Sequence, residues 1–310
     1  MRQAATASFA SLALIGAQAC SSPPPVDVIA GDGALCDLTR RLAGSELRVS
    51  CILGPEDDPH QLQLTPQQTR QIRDATLVLI NGYGLTPALD RLPNTVKVAE
   101  LAVPNSPELH ESDHGESGHS HGDRDPHVWH DPQQAAAMVA FVSKELAVLA
   151  PEHAGVIEQR AKAMQNDLTA LDRWNQAQFS TIPAPRVLAS GHRAFASLAR
   201  AYKLKELPVL DATSSSESLR PQALAQVVND LKQQGVRRLF SEQVPANRSL
   251  QRISQLSGVR LAMQPLLADA AGANLMNTLT ANTCLIVNAL GGRCDQEGAE
   301  QLVQRWQANN

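Results

Sequence analysis

Six of the nine histidines in the chain fall between His110 and His130. The stretch "HESDHGESGHSHGD" (110–123) runs into "DPHVWHDP" (125–132), where two histidines and a tryptophan stand between two Asp-Pro pairs. Neutral imidazoles are the commonest protein ligands for divalent metals, so the chemistry these residues suggest is coordination. Two further histidines lie in separate polar segments, His60 in "GPEDDPHQ" (54–61) and His192 in "SGHRAF" (190–195). A carboxylate, Asp269, lies in "PLLADAAG" (265–272).

The elements that must position these groups are legible as alternating patterns. Strand candidates in the first half are "VDVIA" (26–30), "LRVSCIL" (47–53), "TLVLI" (76–80) and "VKVAE" (96–100). The second half offers "RVLAS" (186–190), "ELPVL" (206–210), "RRLFS" (237–241) and "VRLAM" (259–263). Helices intervene: Thr65, Pro66 and Gln68 form a capping box with proline at the first helical position. Gly235 and Gly258 stand where helices end in a left-handed residue. Asp131 and Pro132 open a helical stretch in which Ala135, Met138, Val139, Val142, Leu146 and Leu149 recur at helical spacing, until Pro151 interrupts. A second stretch, carrying Val156, Met164, Leu168 and Leu171, spans on the order of 40 Å. Strands separated by helices predict an α/β fold: two Rossmann-like lobes with four-stranded parallel sheets, residues 26–150 and 181–310, joined by a long rigid backbone helix over 151–180.

In open parallel sheets, ligands bind outside the carboxyl ends of the strands. His60 follows the second strand of the first lobe and His127 the fourth; His192 follows the first strand of the second lobe and Asp269 the fourth. All four therefore fall on the side from which a cleft between facing lobes would be built. Three imidazoles and a carboxylate make a four-coordinate shell suited to Zn²⁺; copper(I) would want thiolate, and manganese more oxygen. Imidazoles must be neutral to bind, so affinity is expected to fall as pH drops below about 6.5. His130 is three residues from His127, but the helix starting at Pro132 leaves the two rings free of a common face, so His130 is expected either to steady a ligand without touching the metal or to lie at the surface.

Whole-chain properties exclude several classes. With 27 basic and 31 acidic residues there is no basic field for nucleic acid, and 3% aromatics provide few stacking platforms for bases or sugars. Arg2, the apolar "FASLALIGA" (9–17) and "AQAC" predict a signal peptide over 1–19, too short and apolar over too few residues to span a bilayer. Cleavage there leaves Cys20 first, ahead of a stiff tether, "SSPPP" (21–25). A lipid anchor at Cys20 and an ordinary exported protein both remain open, since Ala17 stands where a lipoprotein signal prefers leucine. Export makes disulfides of the other four cysteines, with Cys36–Cys51 and Cys284–Cys294 the sequence-local pairing among three; thiolate zinc ligands are the alternative.

These residues resemble the cluster A-I metal receptors, the solute-binding proteins of zinc and manganese ABC transporters, and most closely the zinc (ZnuA-type) branch. The similarity runs from about residue 26 to the C-terminus through "DPHQLQLTPQQ" (58–68), "DATLVLINGYGL" (74–85), "DPHVWHDP", "SGHRAFASLARAY" (190–202), "FSEQ" (240–243) and "ADAAGANLMNTLTAN" (268–282). The resemblance implies an interlobe metal held by His60, His127 and His192, with Asp269 or water as fourth ligand. A histidine at position 192 favours zinc, because manganese receptors usually carry glutamate there. Mn²⁺ or Fe²⁺ uptake by the same fold is the alternative. His110, His114, His119 and His121 resemble the histidine-rich insertion of zinc receptors, either a low-affinity collector or a flexible spacer. Glu242, Arg193 and His130 match positions near the cleft that either orient ligands or form structural pairs; position 130 is commonly apolar in the family. The implied partner is a membrane permease, the implied location the outer side of the cytoplasmic membrane, and a monomer is expected. A zinc hydrolase is the rival from another class. It would need an open coordination position and a base; no His-Glu-x-x-His occurs, and Glu242 is the one base at hand.

Overall fold

Val28, Ile29 and Ala30 have no exposed surface at all, as expected of a central strand covered by helices on both faces of a parallel sheet. In the computed structural model, residues 26–54, 57–109, 124–210, 221–269 and 274–308 are described. The expected leader 1–19, the expected tether 20–25 with Cys20, and the stretch 110–123 with His110, His114, His119 and His121 lie outside the described residues.

The first half runs β1 (Val28–Ala30), α1 (Gly33–Ala43), β2 (Val49–Cys51), α2 (Pro66–Asp74), β3 (Leu77–Ile80), α3 (Pro87–Asp90), β4 (Val96–Lys97) and α4 (Val98–Ala102). Two long helices follow, α5 (Pro132–Leu149) and α6 (Ala154–Ser180). The second half continues with β5 (Val187–Ser190), α7 (Ala196–Tyr202), β6 (Lys205–Pro208), α8 (Pro221–Gln233), β7 (Leu239–Phe240) and α9 (Arg248–Ser257). It closes with α10 (Leu275–Ala289) and α11 (Gln296–Ala308). Both sheets are parallel, with orders β2-β1-β3-β4 and β6-β5-β7.

Local chemistry explains the boundaries. Thr65 and Gln68 form the full capping box, Asp131 accepts from the Gln133 amide at 2.9 Å, and Gly258 ends α9 at φ +77° with its amide on Ser254 O. Two strand expectations are corrected. "VKVAE" pairs only over Val96–Lys97, after which Val98 turns into α4 and buries against the core. "VRLAM" makes a single parallel bridge, Leu239 to Leu261, so the second sheet has three strands among the described residues rather than four. After Ala262 N to Leu239 O, 2.8 Å, the chain departs from the parallel register: Met263 swings out to 91% exposure, and bonding resumes only at Leu266 N to Ser241 O, 2.8 Å.

The two halves are tied by helices that serve both cores. From α6, Ile157, Met164, Leu168 and Leu171 join the first core and Phe179 joins the second. From α10, Leu275, Met276 and Leu279 pack in the first core, Ile286 and Val287 in the second. Trp306 of α11 returns to α1, where the Arg41 guanidinium lies 4.9 Å from its ring centre and donates to its carbonyl at 2.7 Å. A buried polar network pins the junction. Asp172 accepts from Gln133, Gln176 and Tyr202, while Asn175 donates to the Tyr202 hydroxyl and accepts from Thr283. Satisfied networks of this kind rigidify, so large hinge motion of the halves is disfavoured.

The disulfides are Cys36–Cys51 and Cys284–Cys294, the sequence-local pairs, and the thiolate alternative is thereby overturned. Cys36–Cys51 closes a loop of sequence separation 15 and joins α1 to β2. Replacing both residues by serine is expected to lower the unfolding free energy by about 2–4 kcal/mol, read from the urea midpoint.

Candidate metal centre

Four chain segments deliver four side chains to one point. His60 sits in a single 3₁₀ turn, Pro59–Gln61, beyond β2; Asp58 caps the turn and accepts the His60 amide at 2.9 Å. His127 precedes a second 3₁₀ turn, Val128–His130, that feeds α5. His192 follows the buried strand β5, and the Ser190 hydroxyl donates to its carbonyl at 3.0 Å. Asp269 follows Leu266 and Ala268, both buried, at the end of the irregular segment beyond β7.

The ring centres form a nearly equilateral triangle: His60 to His127 5.4 Å, His60 to His192 5.6 Å, His127 to His192 5.4 Å. The Asp269 carboxylate caps it, at 3.6 Å from His127 Nε2 and 3.9 Å from His60 Nε2. One ligand atom from each of the four lies within 4.8 Å of all the others. A tetrahedral zinc shell with bonds of about 2.0–2.2 Å separates its donors by roughly 3.3–3.6 Å, so small side-chain movements close this set on an ion. His192 Nε2 and Asp269 Oδ1 are buried with no hydrogen-bond partner among the described residues, which is costly unless something else satisfies them.

Carboxylates orient two of the rings from behind. His192 Nδ1 donates to Glu242 Oε1, leaving Nε2 to face the centre. His127 Nδ1 faces Asp125 Oδ1 at 3.3 Å, and the same oxygen accepts the His127 amide at 2.9 Å. The other Asp125 oxygen accepts from the Ser197 amide and hydroxyl, at 2.8 and 2.6 Å. Ser197 belongs to α7 of the second half, so a second-half residue fixes a first-half ring. This carboxylate–imidazole arrangement fixes tautomer and raises ligand basicity.

The electrostatics favour a cation. Burial, reinforced by the charges of Glu242, Asp58 and Asp32, pushes the Asp269 carboxyl up to about 7, although His192 pulls the other way. Burial works to lower the His192 pKa, but the charge and hydrogen bond of Glu242, with Asp269 and Asp58, outweigh it and raise it to about 9. Burial, above all, raises Glu206 to about 7, with Asp125 adding to it. Perturbed groups of both kinds in one crevice mark a functional site.

Of the three supporting residues read from the sequence, Glu242 touches His192, and His130 is buried with Nε2 2.8 Å from Ala268 O. Arg193 directs its charge at Glu206, whose carboxylate accepts the Phe195 amide at 2.8 Å. Asp125, Ser197 and Glu206 were missed. Asp125 carries a local signal, an acid two residues before a histidine whose amide it accepts. Ser197 and Glu206 have none, because only the packing of α7 and β6 brings them in. Trp129 walls the site, its ring 5.4 Å from that of His127.

The family model described as zinc-uptake complex component A, periplasmic, matches residues 28–289. The manganese-binding lipoprotein MntA of Bacillus subtilis is 27% identical over 266 residues, covering 81% of this chain and 83% of its own. In fold, the chain is similar to the Fe(III)-bound YtgA of Chlamydia trachomatis, with TM-score 0.77 and 23% identity over 87% of this chain and 99% of that one. It is also similar to the periplasmic zinc-binding protein TroA of Treponema pallidum, with TM-score 0.74 and 24% identity over 86% and 99%.

Proposed function

From the premise that this chain belongs to the ZnuA family of metal-binding components of ABC transport, we propose that it captures Zn²⁺ outside the cytoplasmic membrane and hands it to a membrane permease. The observation that carries this reading is the convergence of His60, His127, His192 and Asp269, drawn from both halves, to within 4.8 Å. The donor set, three imidazole nitrogens and one carboxylate oxygen, is borderline in softness and suits four-coordinate zinc. None of the described helices is long and apolar enough to cross a membrane.

Uptake of Mn²⁺ or Fe²⁺ through the same site is the second reading, favoured by relatives named for manganese and solved with iron. Competition titration of the metal-free protein separates the two: zinc displacing bound manganese supports the first, and selective saturation by manganese in the presence of zinc supports the second. A hydrolase is disfavoured because Glu242, the base it would need, is already engaged with His192 Nδ1.

Capture takes place in a cleft largely formed in advance, because α6 and α10 and the Asp172 network hold the halves together. Closure is then a matter of short segments: the turns carrying His60 and His127 move inward onto the ion, against an Asp269 stretch already held by hydrogen bonds at Leu266 and Leu267. A carboxylate behind the ring should matter here. Glu242→Ala is expected to weaken zinc affinity about 10–100-fold without changing stoichiometry, read by titration against a chelating indicator.

Proton linkage follows with a definite sign. Below its pKa of about 9, His192 in the metal-free protein carries a proton that zinc must displace, and below about 7 Asp269 does as well. Affinity is therefore expected to rise with pH well past the 6.5 of a free imidazole, levelling only near 9, with proton uptake by buffer during titration at pH 7.5. Calorimetry in buffers of different ionisation enthalpy measures it; affinity independent of pH above 6.5 contradicts it.

A further inference from the structure

Asp269 is the only oxygen donor of the four, and it ends a stretch, residues 262–269, that forms no helix or strand. Hydrogen bonds hold that stretch at three successive residues. Leu266 N donates to Ser241 O at 2.8 Å. Asn282 of α10 clamps Leu267, accepting from its amide at 3.0 Å and donating to its carbonyl at 2.6 Å. His130 Nε2 donates to Ala268 O at 2.8 Å. The first two holds come from the half of the chain to which Asp269 belongs. The third comes from a residue 138 positions earlier, in the segment that also carries His127.

The His130 ring is well placed for this. It is buried, 4.8 Å from the Phe195 ring centre and 5.7 Å from that of Trp129. Burial lowers its pKa to about 4, so the ring is neutral. A nitrogen of a neutral ring that faces a carbonyl oxygen carries the hydrogen. Its acceptor is the peptide group immediately before Asp269. Aspartate has a short side chain, so fixing that peptide confines both carboxylate oxygens to a small volume beside His60 and His127.

We propose that His130 is a positioning residue for Asp269, and that by holding the carboxylate in place it sets a four-coordinate shell and the preference for zinc over manganese. The inference rests on the zinc-receptor reading above. With the carboxylate fixed, the shell closes at three nitrogens and one oxygen, which suits zinc. Once it is released, waters take its place, and a shell richer in oxygen and higher in coordination number favours manganese.

The test uses purified full-length protein titrated with zinc chloride and manganese chloride against a chelating indicator. Wild type is compared with His130→Phe, His130→Leu and His130→Gln, each alone and combined with Asp269→Asn. The two apolar variants guard against one failing to fold, which a thermal melt reveals. Either apolar variant is expected to weaken zinc binding about 10–100-fold and manganese binding far less, so that the preference narrows. Gln, which keeps a donor, is expected to recover most of the loss, and in the Asp269→Asn background the apolar variants should have no further effect. Equal losses for both metals, or the same zinc loss with and without Asp269→Asn, would overturn the proposal. Wild type that binds no zinc would instead overturn the function on which it rests.

Discussion

His192→Ala is expected to weaken zinc binding about 10²–10³-fold, the largest single effect among the ligands. Structural zinc sites with four protein ligands bind with roughly 10–16 kcal/mol, so one ligand carries on the order of 3–4 kcal/mol. His192 should lie at the upper end because its loss also strands Glu242. That carboxylate accepts from the imidazole, and without the ring its charge stands unrelieved by His192 against those of Asp58 and Asp269. Native mass spectrometry with and without zinc reads the stoichiometry, and a competing chelator reads the affinity. His153→Ala is the control: that ring is 40% exposed, lies 3.8 Å from Glu152 on the surface, and should leave binding unchanged. Equal behaviour of the two variants would remove His192 from the site.

Zinc itself is expected to raise the melting temperature by roughly 6 °C when free metal stands at about a thousand times its dissociation constant. Mass action at that ratio adds about 4.1 kcal/mol to the folded state. For a chain of 310 residues the unfolding entropy is about 0.65 kcal/mol/K, so each kcal/mol shifts the midpoint by about 1.5 °C. The ligands span both halves, His60 and His127 from the first and His192 and Asp269 from the second, so the ion cross-links them and the increment should apply to a single cooperative transition. A chelator should reverse it, and His60→Ala should abolish it. A melt in which only part of the signal shifts would mean that the halves unfold independently and that the ion is held by one of them.

Much of the site was legible because its residues follow strands, and in a parallel sheet the loops beyond the carboxyl ends converge. His60, His127 and His192 obey that rule, whereas Asp269 follows only the single Leu239–Leu261 bridge and not a full strand; the Asp131–Pro132 helix start and the Thr65 capping box are local signals that the structure repeats. What sequence left unread is tertiary. Ser197 and Glu206 reach the centre only through the packing of α7 and β6, and nothing in "HRAFASLARAY" or "ELPVL" says which side chain will point inward. The return of α10 and α11 onto the first core was equally hidden: their apolar faces specify burial, not the partner that provides it. "VRLAM" has the composition of a strand, yet its last residue, Met263, turns outward and one bridge is all that forms. The role of His130 was open for a related reason. Its acceptor is a backbone carbonyl 138 residues away, and a carbonyl has no sequence signature.

Three imidazoles and one carboxylate, far apart in the chain, are expected to share a single divalent ion. X-ray absorption at the zinc edge of the loaded protein tests it most directly. Expected are four nitrogen or oxygen neighbours at about 2.0–2.2 Å, with the outer-shell scattering of three imidazoles falling to two in His192→Ala. A sulfur neighbour at about 2.3 Å, or fewer than three imidazoles in the wild type, would contradict it.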